Sequence, residues 1–287
     1  MSKAPAYTFE ANPAEPPPPY ASTDPGTPSP SPQPQPYAQH QVGSSSSSSA
    51  VVARQFPPTF SVYSGFMTSD LTIGQHKDSP IYAVSVHSGL SGQPNLVLHA
   101  GTTKRAPLMA AVDFHSFSRR MDITLPPPSS SSPAAKNSSA SGGAGIRNTG
   151  PRAHETVEAR FSGWNNAHPF TIDVEATGRR EAFEWRHSTG GLAVGSLDAG
   201  SSGWKLVRMD AGTDRNANGG FTTSDGRPVV AVWSRTNFRG NKVGKFMFLG
   251  AGADGSLGER WAMMAVMSAL GLYEKQRRQE RRSAAAA

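Results

Sequence analysis

The sequence predicts a mainly β protein: a closed barrel of about twelve strands enclosing a hydrophobic C-terminal α-helix. Three observations lead there. From Thr59 onward the chain is a series of short apolar runs with period-two alternation, punctuated by Gly, Asn, Asp and Pro. No alternation of strands with crossover helices interrupts the series, which argues against a parallel doubly wound sheet. Near the end, Trp261–Tyr273 reads WAMMAVMSALGLY, apolar on every side of a helix. A helix of that kind must be buried all round.

The elements follow in chain order. Residues 1–58 carry PAEPPPPY, TPSPSPQPQPY and GSSSSSSA. Such composition has too little apolar surface to offset the entropy of ordering it, so a disordered, partly polyproline-II arm is expected. The barrel domain is expected over 59–282. Its first strands are read at 59–66, 80–87, 95–100, 108–115 and 120–125, rich in β-branched and aromatic residues. Residues 126–153 are Pro, Ser and Gly and read as a disordered insertion. Further strands are read at 155–162, 169–176, 181–187, 191–197, 203–209, 228–234 and 242–250, joined by turn signals such as STGG, NANGG and SDGRP. Ser256 and Glu259 form an S-x-x-E capping box that opens a helix over 257–282, and 283–287 is left as a tail.

Three readings of the apolar helix compete. A bilayer span needs about 20 apolar residues, and this stretch supplies 13 between Arg260 and Glu274, so no transmembrane span is expected. An in-plane amphipathic helix needs a polar face, which is missing. A helix threaded through a barrel needs a wall of more than about eight strands, which the strand pattern provides. The third reading places Trp261, Met264, Val266, Met267 and Leu270 inside the barrel, with EKQRRQERR emerging from its mouth.

That order of elements, with FEWRHSTGG, GWKLVRMD, VVAVWSRTNFRGNKVGKFMF and the terminal helix, resembles the Tubby C-terminal-like superfamily. The superfamily includes Tubby, the LURP-one-related proteins and the phospholipid scramblases, and the pattern here is nearest to fungal members. The resemblance covers about 59–280 and lies in the order of elements rather than in any residue-specific motif. It implies a closed barrel around the C-terminal helix and, by analogy with Tubby, binding of anionic phospholipid. The scramblases' Cys-rich segment has no counterpart, since the chain contains no cysteine.

Absence of cysteine excludes disulfides, thiolate zinc sites and cysteine nucleophiles. The formal charge of +7 favours anionic partners. The anionic-lipid candidates are Arg235, Arg239, Lys242 and Lys245 in SRTNFRGNKVGK; the alternative is a solvated hairpin. The tail EKQRRQERR reads as a solvated helix extension, with electrostatic attachment to a membrane or RNA as its sharper alternative. Pro17, Pro18, Pro19 and Tyr20 hold a P-P-x-Y ligand for a WW-domain partner, giving a second functional class, an interaction adaptor. Asp214, Asn216, Asn218 and Asp225 partly match a calcium loop, but position 12 is Asp rather than Glu and strands flank it, so a polar hairpin is preferred and no metal is expected. There is no H-E-x-x-H pattern, no G-x-S-x-G elbow and no phosphate-binding G-x-x-x-x-G-K-[ST] loop. A non-enzymatic binding module without cofactor is therefore expected, with no nucleic-acid partner. With no apolar leader at the N-terminus, an intracellular, cytoplasmic location is expected, peripheral at membranes.

Overall fold

A computed structural model describes residues 55–65, 67–89, 91–115, 120–127, 153–158, 160–162, 165–197, 202–211, 220–236 and 240–287. All of them belong to one compact unit, Ala50–Ala287. The expected N-terminal arm up to residue 54, and the insertion over 128–152, lie outside the described residues.

Thirteen antiparallel strands form one sheet, in the order β7-β6-β5-β4-β3-β2-β1-β13-β12-β11-β10-β9-β8. They are β1 (Thr59–Ser64), β2 (Leu71–His76), β3 (Ser79–Val86), β4 (Leu96–His99), β5 (Leu108–Phe114), β6 (Met121–Leu125), β7 (Ala153–Val157), β8 (Arg160–Ser162), β9 (Asn165–Val174), β10 (Arg179–Thr189), β11 (Ser202–Arg208), β12 (Val229–Arg235) and β13 (Lys242–Phe248). Every sheet pairing joins sequence neighbours except that of β1 with β13, and the consecutive strands β7 and β8 lie at the two ends of the order, so most of the wall is a meander.

The ladder from β7 round to β9 makes a nearly closed twelve-stranded barrel. At the seam β7 pairs with β6, and β8, which carries on from it, pairs with β9. The Glu158 N–H donates to the Pro169 carbonyl at 3.3 Å, in the register that pairs Arg160 with Ala167. A charged clasp crosses the same seam: Arg180 on β10 pairs with Glu155 on β7.

Alternation dictates what fills the lumen. Along β10, Ala182, Glu184 and Arg186 alternate with Phe183 and Trp185, which are fully buried. Helix α3 (Glu259–Ala286) runs through the centre. Trp261, Met264, Val266, Met267 and Leu270 are each no more than 1 % exposed. Trp261 packs on Phe183 and Phe248, with ring centroids 5.6 and 5.9 Å apart. A Cβ at Gly271 would sit 2.7 Å from Met121 Sδ, so the helix touches the wall there. The Ser268 hydroxyl, midway along the apolar stretch, accepts from Trp185 Nε1 at 2.8 Å and donates to the Ala265 carbonyl at 3.0 Å. It thereby satisfies a buried indole N–H.

At the helix start, Arg260 is buried and its guanidinium meets Glu155 at 2.9 Å, while its Nε donates to the Pro126 carbonyl. Arg260, Glu155 and Arg180 thus tie the helix to both sides of the seam.

Four sequence expectations are corrected. Strand β2 was not anticipated: Gly74 breaks its alternation, and a Cβ there would lie 2.5 Å from the Ser79 carbonyl across a tight turn. Residues 191–197 are not a strand. Gly190 and Gly191 have φ of 73° and 121°, which turn the chain out of β10 into a single helical turn, α1 (Leu192–Gly195). Its Val194, with Leu197 just after it, covers the outer face of β12 at Val229 and Val232. A further turn, α2 (Ala251–Asp254), precedes α3. The capping box does not form. Gly255 and Gly258, with φ of 86° and 89°, swing Ser256 back onto α2, where its hydroxyl donates to the Ala251 carbonyl. Glu259 instead accepts from the Gln55 N–H at 2.9 Å. Finally, α3 extends to Ala286, taking in residues that composition assigned to a tail.

Candidate functional site

The barrel end from which α3 emerges carries an open groove of about 820 Å³. One wall is the end of β3 and the residues after it, Val86–Gly89. Another is Phe114 and His115 at the end of β5. The third is the face of α3 that repeats at i+3 and i+4: Glu274, Arg277, Arg278, Arg281 and Arg282. Five cationic side chains line the groove (Lys275 is the fifth) against one carboxylate, Glu274.

The inner cations are held in place. Glu274 is buried; its carboxylate takes the Arg278 Nε at 2.8 Å and lies 2.7 Å from Arg277 Nε. Arg278 also donates to the His87 carbonyl, and its guanidinium lies 5.1 Å from the Phe114 ring centroid. Lys275 Nζ donates to the Arg120 carbonyl at 2.9 Å and sits 5.5 Å from the same ring. Burial brings the Lys275 ammonium down to about 8, so it still carries charge at neutral pH. Arg281 and Arg282 stand exposed at the outer edge. The wall is fixed too: Asn95 Oδ1 accepts from the Phe114 N–H at 2.6 Å, and His87 Nδ1 bonds the Pro94 carbonyl at 2.8 Å. Pre-set cations around an open space suit an anion, because the ligand need not order them.

Of the four cations singled out in the β12–β13 hairpin, three are described, and two of these reach this end of the barrel. Arg235 is at the end of β12, but its guanidinium is committed to Glu280 at 2.6 Å and to the Tyr273 ring at 5.5 Å. It clasps the emerging helix rather than lining the groove. Lys242 begins β13 beside Tyr63, half-buried on the same rim. Lys245 lies between the inward Gly244 and Phe246, and therefore on the outer wall. Arg239 lies outside the described residues, as do Pro17, Pro18, Pro19 and Tyr20 and the loop positions Asp214, Asn216 and Asn218. Asp225 is held by Arg186 Nη1 at 3.0 Å, with Arg227 Nε 3.4 Å away. Among the described residues no three His, Asp or Glu groups are placed to hold a metal ion.

Ser85 and His99 are in contact at 2.9 Å on the outer face, and His99 Nδ1 bonds the Ala106 carbonyl at 3.1 Å. Both residues are buried under the β4–β5 loop, so each polar atom satisfies another, as a structural pair requires. No helix among the described residues is long and apolar enough to cross a membrane. No family model, curated protein or solved structure matches the chain.

Proposed function

We propose that this protein is a non-enzymatic binding module that docks its basic mouth on the anionic headgroups of a phospholipid surface, acting as a peripheral protein of the cytoplasmic leaflet. The observation that carries the reading is the groove of about 820 Å³ lined by Lys275, Arg277, Arg278, Arg281 and Arg282. A cation near an anionic bilayer contributes roughly 1 kcal/mol, so several acting together give useful affinity that salt weakens. The apolar part of α3 supports a surface-bound mode, since it is taken up in the barrel core and has nothing left to insert. The resemblance to the Tubby C-terminal-like superfamily points the same way.

The test is flotation of the full chain with vesicles. Binding to phosphatidylcholine vesicles containing phosphatidylserine, lost on pure phosphatidylcholine and weakened by salt, is the expected result. Equal recovery on both vesicle types, or none at low salt, would remove the proposal.

A further inference from the structure

The turn between β1 and β2 carries Met67, 92 % exposed and the sole exposed large apolar side chain among the described residues. Its φ of 57° is also the one positive value on a non-glycine residue among them. Glycine or asparagine would adopt that conformation with less strain. The turn does not merely drift into it. Its ends are fixed, with the Gly65 N–H donating to the Asp70 carbonyl at 2.9 Å and the Ser64 N–H donating to the Asn241 carbonyl at 2.7 Å. Asp70 accepts from the Val86 N–H at 3.2 Å and pairs with Lys104. Both ends of the turn are thus bonded, and the Met67 thioether stands out in solvent.

The position of that thioether matters. Ser69, two residues on, lines the basic groove together with Lys275, Arg281 and Arg282. The apolar tip and the cations therefore share one rim of the barrel. Cations alone hold a protein at the headgroups, and salt releases them. An apolar side chain beside them adds a contact that salt does not screen, and two such signals make a stable attachment where one does not. Methionine suits the role, being flexible, unbranched and apolar.

We infer that Met67 is a membrane-inserting tip, entering the headgroup–acyl boundary of an anionic bilayer when the basic mouth docks on it. The inference rests on the lipid reading above and adds the depth and orientation of the bound protein.

The chain has no cysteine, so Met67→Cys in the full-length protein creates a single labelling site. An environment-sensitive fluorophore placed there should shift to the blue on phosphatidylcholine–phosphatidylserine vesicles and be quenched by nitroxide-bearing acyl chains. Pure phosphatidylcholine and soluble inositol hexakisphosphate should leave it unshifted. Separately, Met67→Gly should lower vesicle affinity roughly tenfold, from the lost burial of one methionine side chain. The same variant should raise stability, because glycine relieves the positive φ. A label that stays unshifted while the protein floats with anionic vesicles would sink the inserting tip and leave the groove reading standing. Failure to float would remove both. A blue shift with the hexakisphosphate would mean the turn responds to a soluble polyanion, which also overturns insertion.

Discussion

The contact between Trp185 and Ser268 fixes both the depth and the rotation of α3 within the barrel, and it can be measured. Both residues are fully buried, and the indole N–H donates to the hydroxyl at 2.8 Å. Ser268→Ala deletes the acceptor and strands a buried N–H, which costs about 1–3 kcal/mol. Alanine's better helix propensity returns about 0.5 kcal/mol, leaving a net loss of about 0.5–2.5 kcal/mol. Trp185→Phe removes the donor and some packing, while Ser268 keeps its bond to the Ala265 carbonyl. In the double variant no donor is stranded, so it should be more stable than the summed single losses imply, by about 1 kcal/mol or more. Urea unfolding followed by far-ultraviolet circular dichroism gives the four stabilities. Additivity of the single losses, within about 0.5 kcal/mol, would show that the indole does not meet Ser268 and that the helix is placed differently.

Two further expectations concern charge inside the protein. Glu155→Gln leaves Arg260 buried without its counterion and should cost about 3–5 kcal/mol in urea unfolding; a loss below about 1 kcal/mol would mean the seam clasp is not formed. His168 is held down from 6.5 to about 4, first by burial and then by the charge of Lys275. Its folded value lies below its unfolded value, so the unfolded chain takes up the proton first, and this group's contribution to stability is lost as pH falls from about 6.5 to 4. His168→Gln should flatten the stability profile in that window relative to the parent, and parallel profiles would contradict the burial of the ring.

The barrel and its central helix were legible because each rests on a local pattern. Alternation along runs such as EAFEWRH assigns one face to the core, and Trp261–Tyr273 offers no polar stripe that water could face. The misread elements lie where a short apolar run or a glycine makes the local pattern ambiguous. In GLAVGSL a helical turn serves to bury Val194 and Leu197 as well as a strand would, and only the open outer face of β12 decides between them. The capping box failed because two glycines with positive φ flank Ser256, whose hydroxyl turns back to the Ala251 carbonyl of α2. The groove was half legible. The five cations of EKQRRQERR were visible, but which of them meet open space depends on Val86–Gly89 and Phe114 coming beside α3 from far away in the chain. Arg235 looked as available as any, until Glu280 arrived on the next turn of the helix to pair with it. Met67 carried no signal, since a lone methionine in a turn has no pattern to read.

The most direct test is where on the barrel the vesicle-binding charge lies. Arg281→Ala with Arg282→Ala removes two charges at the mouth. Lys77→Ala with Arg179→Ala removes two from the turns at the opposite end, between β2 and β3 and at the start of β10. Flotation with phosphatidylserine-containing vesicles should weaken roughly tenfold or more for the mouth pair, at about 1 kcal/mol per charge, and be unchanged for the opposite pair. Equal weakening by both pairs would mean that net charge, and not the basic mouth, holds the protein to the membrane.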